Sequence, residues 1–367
     1  MYPRKKSPDF LLFMSTVMLL SIGIIMVYSA SQVTASERMA DTFYFLKKQL
    51  LWACIGILAM ISVMNIDYWR YKKLAVPFLI TAFALLVAVL LPGVGKSVKG
   101  AQRWLGVGML TFQPSEIIKL SLVIFMAWGL SQAKARLRYF TTGLLPYLIV
   151  LALACGLILM QPDLGTTIAA AGTVYLMFFA AGAEGKHLTY LALSGVGAVS
   201  LAIALEPYRL KRFLAFLDPW ADPLGSGFHI IQGLYALGSG GLFGAGLGKS
   251  HQKYFYLPEQ HTDFIFAVLG EELGFIGGAL VILLFILFIW RGFKIALSSP
   301  DPFASLLAVG VTSMIGLQAI INIGVVTSSL PITGIPLPLI SFGGSSLVFT
   351  LLGVGILLNI SKFTTYR

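Results

Sequence analysis

Apolar runs long enough to cross a bilayer recur along this chain from one end to the other, separated by short polar connections. They fall near residues 10–30, 46–64, 74–91, 111–131, 143–160, 166–182, 188–205, 264–290, 302–326 and 340–360. A hydrocarbon core about 30 Å thick takes about 20 helical residues. Each run is predicted to be a helix, because an open strand would leave its N–H and C=O groups unpaired in lipid. The pattern predicts an all-α, polytopic membrane protein of about ten transmembrane helices, with residues 1–367 forming one membrane domain.

Composition points the same way. Hydrophobic residues make up 57% of the chain and charged residues 11%, with a mean hydropathy of +0.87, whereas a soluble domain carries roughly 25% charge. The net charge of +11 does not imply nucleic acid, since Lys and Arg occur in short clusters between apolar runs and form no single basic face. Those clusters set topology. Ten spans put both termini on one side; with that side inside, its segments hold fourteen Lys and Arg, against six in the short outer segments. The positive-inside rule therefore places both termini in the cytoplasm. Arg4, Lys5 and Lys6 precede the first run as in a secretory signal, but a run of about 20 residues exceeds a signal core of roughly 7 to 15. An uncleaved first helix is expected. Cys54 and Cys155 lie inside apolar spans and read as small core hydrophobes.

This topology leaves two long outer connections, Pro92 to Leu110 and the large extracellular loop 206–263 between helices 7 and 8. Long ordered loops often carry function. Pro207 to Phe216 mixes Arg209, Lys211 and Arg212 with Leu210, Phe213, Leu214 and Phe216, the pattern of a helix on lipid headgroups or of a solvated linker helix. Gly244 to Ser250 imitates a phosphate loop, but Phe243 stands where GxxxxGK[ST] requires glycine, and Lys249 breaks GxGxxG. The glycines there instead permit tight turns.

Ionisable residues at membrane depth each cost roughly 2.5 to 3.5 kcal/mol on insertion scales and need a reason. Glu116 and Lys119 share one face of the fourth helix, either neutralising each other or presenting a polar patch to a cavity. Asp163 follows Pro162 where it can cap the sixth helix. Glu271 and Glu272 lie about 100° apart around the eighth helix, so they cannot both point the same way, which leaves one to face a cavity and the other a partner helix. Asp263 sits where the long loop enters that helix, behind His261 and Thr262, either complementing the helix dipole or facing substrate. His261 either orients this carboxylate or is an ordinary loop histidine. On the other long loop, Lys96, Lys99, Arg103 and Trp104 set cations and an indole beside the outer leaflet. Cations opposite a carboxylate suit a phosphorylated substrate.

Several segments resemble signatures of the SEDS family, comprising FtsW, RodA and SpoVE: PDFLLF, MVYSAS, RWLG, FQPSEIIKL, QPDLGT, YLPEQHTDFIFAVLGEELGFIGG and LPITGIPLPLISFGGSSL. The resemblance covers nearly the whole chain, and PDFLLF and RWLG look closer to the FtsW and SpoVE branch. It implies a ten-helix peptidoglycan glycosyltransferase that joins lipid II units outside the bacterial cytoplasmic membrane, in cell division or sporulation, with a class B penicillin-binding protein as partner. By the same resemblance Asp263 matches an essential acidic residue, Trp104 an important tryptophan, and Glu116, Lys119 and Asp163 residues lining a central cavity.

The expected chemistry is attack by a sugar hydroxyl on the muramyl carbon of lipid II, displacing a diphosphate with inversion. The leaving group is already good, so one base and a way to hold negative charge suffice. Asp263 is the expected base; Arg103, nearby lysines such as Lys99, or a divalent cation, Mg²⁺ or Mn²⁺, would hold the diphosphate. No nucleotide or organic cofactor is expected. Two other readings stay open: a flippase for a lipid-linked oligosaccharide, whose critical charges belong near the midplane, and a scaffold that only recruits the penicillin-binding protein.

Overall fold

A computed structural model describes residues 6–98, 101–107, 110–254 and 256–364. Among these, all ten predicted spans are apolar helices: α1 (Phe10–Met39), α2 (Tyr44–Asn65), α3 (Arg70–Leu90), α4 (Pro114–Ala133), α5 (Leu145–Leu159), α6 (Leu164–Ala180), α7 (Gly185–Ala204), α10 (Ile265–Leu297), α11 (Pro302–Val326) and α12 (Gly344–Ser361). Two further helices, α8 (Pro207–Leu217) and α9 (Phe228–Ser239), occupy the large loop. The chain is a multi-pass membrane protein. Three of the described helices, α1, α6 and α11, start where an aspartate side chain satisfies the first amides: Asp9 accepts from Leu12 N at 2.9 Å, Asp163 from Thr166 N at 3.0 Å and Asp301 from Phe303 N at 3.0 Å.

Burial ranks the helices. In α4 and α11, 78% of the most apolar 18-residue window is buried, and 72% in α12, against 6% in α7. The first three form the centre and α7 a rim helix whose apolar side chains suit lipid tails. α12 lies along α2, while α11 packs on α4, α6 and α10.

The two ends of the bundle differ. At the end carrying both termini, short connections are locked by polar contacts: Asp9 pairs with Arg291, Lys6 N donates to Lys362 O at 2.8 Å, and Asn359 Nδ2 donates to Met64 O at 2.9 Å. The opposite end carries both long connections. The one after α3 contains a small antiparallel sheet that the apolar pattern did not predict, β1 (Lys96–Val98), β2 (Ala101–Val107) and β3 (Leu110–Phe112), in the order β1-β2-β3. Outside hydrocarbon a three-stranded ribbon can leave its edges to water, so the rule that forces helices within the bilayer does not apply there.

The eighth span is broken where the sequence pattern predicts a continuous helix. Gly274 has φ 67° and ψ −167°, and interrupts α10 one residue beyond Leu273. The glycine-rich loop repairs the interruption. Ala245 N donates to Glu271 O at 2.9 Å, Gly246 N to Glu272 O at 3.0 Å, and Phe275 N to Gly241 O at 2.8 Å. Backbone groups freed at membrane depth must find partners within the protein, which is a stronger reason for these glycines than turn formation alone.

Candidate active site

At the end opposite the termini a cavity of about 420 Å³ opens between α4, α6, α7, α8, the start of α10 and the extended segment that joins α11 to α12. Five of the residues singled out from sequence line it: Arg103, Trp104, Glu116, Asp163 and Asp263. They come from four separate stretches of chain, and only the fold brings them together.

Asp263 is held through its backbone. Asn322 on α11 donates to Asp263 O at 2.7 Å, and Ser341 Oγ donates to the neighbouring Thr262 O at 2.6 Å. Phe342 N reaches His261 O at 2.9 Å. The entry to α10 is thus stitched to the extended 331–343 segment, and the carboxylate projects beside Gly334 into the cavity. His261 itself is not among the cavity-lining residues; its ring packs on Phe45 and Phe342, with centroids 4.5 and 5.8 Å away.

Asp163 combines both roles considered for it. Its Oδ1 caps α6 through Thr166 N, while Oδ2 lies 3.7 Å from Arg103 Nη1 and accepts from Gln113 Nε2 at 3.4 Å. Arg103 also donates to Gln161 O at 2.7 Å and to Pro162 O. This cation, carried by β2, is therefore committed to the α5–α6 turn. Trp104 follows it on β2, with its backbone opposite Lys96 of β1. Lys99 lies outside the described residues.

Glu116 and Lys119 form an ion pair at 2.9 Å with side chains only 6% and 4% exposed. Glu116 touches the cavity and Lys119 lies below it, donating to Gln318 Oε1 at 3.0 Å. Gln318 Nε2 in turn donates to Pro336 O at 3.2 Å, so the pair is tied to the segment beside Asp263. Glu271 and Glu272 stand apart from this site. Glu271 accepts from His251 N at 2.8 Å, and Glu272 accepts from Ser29 Oγ at 2.7 Å and lies 3.6 Å from Lys253 Nζ. Despite their angular separation they converge on one neighbour, Ser250, whose N donates to Glu272 at 3.4 Å and whose Oγ donates to Glu271, and together they anchor the loop 250–253, with Glu272 alone also reaching α1.

A family model described as "Cell cycle protein", that of FtsW, RodA and SpoVE, matches residues 10–366. The chain belongs to the FtsW, RodA and SpoVE family. It is 51% identical over 366 residues to "Stage V sporulation protein E" of Bacillus subtilis (strain 168), covering 100% of both chains. It is 43% identical to "Probable peptidoglycan glycosyltransferase FtsW" of Geobacter metallireducens, covering 96% of this chain and 94% of that one. Among solved structures it resembles a chain in "Structural coordination of polymerization and crosslinking by a peptidoglycan synthase complex", with a TM-score of 0.79, 31% identity, and 96% and 97% coverage. The crystal structure of Thermus thermophilus Rod shape determining protein RodA gives 0.73, with 28% identity and 98% coverage of each chain.

In this member of the family, α8 turns Tyr208, Arg209, Arg212 and Phe213 toward the cavity and leaves Leu210, Leu214 and Leu217 exposed. Along the sequence the α8 cations have the pattern of a surface helix; the i, i+1, i+4, i+5 spacing of the cavity-facing set is the one local signal of their placement. Burial is the main cause holding the Arg212 guanidinium below its ordinary pKa; Tyr208 and Asp263 act in the opposite direction, and Arg103 reinforces it. Asn322, Gln113 and Glu259 were also missed, the first because it acts on backbone carbonyls from another helix.

Proposed function

We propose that this chain is a peptidoglycan glycosyltransferase that polymerises lipid II on the outer face of the bacterial cytoplasmic membrane, with both termini cytoplasmic, serving division or sporulation. The names of its relatives support the activity, and the carrying observation is the Asp263 carboxylate lining a cavity with Arg103 and Arg212 at the end opposite the termini. Every stretch that lines this cavity comes from that end, which favours surface chemistry over a two-sided translocation path.

In the proposed reaction Asp263 accepts the proton of the acceptor sugar hydroxyl as its oxygen bonds to the anomeric carbon of the donor. The bond from that carbon to phosphate breaks on the opposite face, its electron pair leaving with the diphosphate, so configuration inverts. Backbone anchoring by Asn322 and Ser341 keeps the base in place, which is worth more than a strong base in loose geometry.

A divalent cation, Mg²⁺ or Mn²⁺, fits this donor set only as a shared ion. Among the described residues no three His, Cys, Asp or Glu side chains cluster as a metal site, so Asp263 and Glu259 would supply protein oxygens and substrate phosphates the rest. Such an ion would offset charge on the diphosphate. The family membership and the match to a peptidoglycan synthase complex support a class B penicillin-binding protein as partner.

The test is purified protein, wild type and Asp263→Asn, given labelled lipid II with and without a cognate penicillin-binding protein. Wild type should form glycan chains, and Asp263→Asn should form none while retaining its melting temperature. Normal chains from Asp263→Asn rule out the base; no chains from wild type under either condition overturn the activity.

A further inference from the structure

Among the described residues four cationic side chains stand in or just below the cavity, and three are already engaged. Arg103 is committed to Asp163 and to the carbonyls of Gln161 and Pro162, Lys119 to Glu116 and Gln318, and Arg209 donates to Ala202 O at 3.1 Å. Arg212 differs. Among the described residues it makes no hydrogen bond or ion pair, and its one close partner is the Tyr208 ring, whose centroid lies 4.3 Å from the guanidinium carbon.

A partly buried guanidinium stays charged and carries five donors in a planar fork. Leaving those donors unmet in a desolvated site is costly, so the arrangement suits an anion that arrives with the ligand. The Tyr208 face holds the guanidinium plane without consuming its donors. Asp263 shares the cavity with it, so a bound donor would have base and cation within one chamber.

Resting on the glycosyltransferase reading above, we propose that Arg212 is a binding residue for the diphosphate of the lipid-linked donor, while Arg103 is a positioning residue that holds the α5–α6 turn. As the bond from anomeric carbon to phosphate oxygen breaks, its electron pair moves onto the diphosphate, and the Arg212 fork takes up that charge through two parallel N–H···O bonds. α8 thereby couples a helix with an exposed apolar stripe to the polar end of a lipid-linked substrate.

The experiment measures undecaprenyl diphosphate binding to wild type, Arg212→Gln, Arg212→Lys and Lys211→Gln in phosphatidylcholine nanodiscs, alongside lipid II turnover. Lys211 is exposed on the same helix and does not line the cavity, which makes it the control. Arg212→Gln is expected to weaken binding by about tenfold or more, Arg212→Lys by less because it keeps the charge but loses the fork, and Lys211→Gln to bind as wild type. Inorganic pyrophosphate should compete in wild type and not in Arg212→Gln. If Arg212→Gln does not fold, Arg212→Lys still decides the matter through its binding constant.

Wild-type affinity in the Arg212 variants overturns the assignment even if wild type polymerises lipid II. Equal competition by phosphatidylglycerol added to the disc also overturns it, since the site would then serve ordinary headgroups. A wild type that binds the diphosphate through Arg212 yet forms no glycan supports the subsite and sinks the polymerase reading, so the two failures are separable.

Discussion

Asn322 on α11 donates one amide hydrogen to the carbonyl of Asp263 at 2.7 Å and another to the carbonyl of Ile335 at 2.8 Å. A single side chain, 1% exposed, thereby ties the entry to α10 to the extended segment after α11. Asn322→Ala strands the buried Ile335 carbonyl, at about 1–3 kcal/mol, and the partly buried Asp263 carbonyl at less. The expected outcome is a lower melting temperature together with a fall in turnover larger than the fall in lipid II binding, because Asp263 loses its backbone anchor. Steady-state kinetics and a thermal melt check this. Unchanged kcat in a folded variant would show that Ser341 alone fixes the base.

The ten spans were legible because lipid imposes one rule on every residue within it, and apolar length reports that rule directly. Asp263, Arg103, Trp104, Glu116 and Asp163 were legible as chemistry out of place, or through family motifs. Arg212 was not, since a cation on an amphipathic helix has the same local pattern whether its partner is water, a headgroup or a cavity. Nor was the break at Gly274 visible: the repair comes from residues 241–246, and no local periodicity records a hydrogen bond made across some 30 positions. The small sheet after α3 was hidden for a third reason, because its strands of three and seven residues are too short and polar to show an alternating face.

The buried pair Glu116 and Lys119 yields a prediction of unequal costs. Removing one charge leaves the other buried, at about 3–5 kcal/mol, whereas replacing both with apolar groups of similar size is near neutral for folding. Glu116→Gln and Lys119→Met should each lower the melting temperature more than the double variant does. Activity should fall in all three, since the pair also holds Gln318 and, through it, Pro336 beside the cavity. Full activity in a stable double variant would confine the pair to a structural role.

Gly274 is expected to tolerate no side chain. Its φ of 67° is strained for an L residue, and a Cβ there would press on Gly244 N and Leu242 O, both backbone atoms that cannot rotate away. Gly274→Ala should detach the glycine loop from α10, lower the melting temperature by several degrees and raise protease cleavage between residues 240 and 253. Gly182→Ala, also at positive φ (82°) but with open space around it, supplies the comparison. Equal loss in both variants would assign the effect to backbone strain alone.

A Cβ on Gly334 would lie 3.4 Å from Asp263 Oδ2, an ordinary contact, at a backbone φ of 74°. Gly93 has a similar φ of 80°, and nothing lies within 4 Å of its Cβ position. Alanine at either site pays the same left-handed penalty, about 1–2 kcal/mol, so their stabilities should fall alike. Only Gly334→Ala adds a methyl against the carboxylate and narrows the space in which the acceptor hydroxyl must meet it. Turnover of lipid II should therefore drop at least about tenfold for Gly334→Ala, a cost that misplacement of a catalytic group readily reaches, and stay near wild type for Gly93→Ala. Matched melting temperatures with divergent kcat would locate the chemistry at Asp263 without altering any titratable residue. Matched kcat values would move it elsewhere in the cavity.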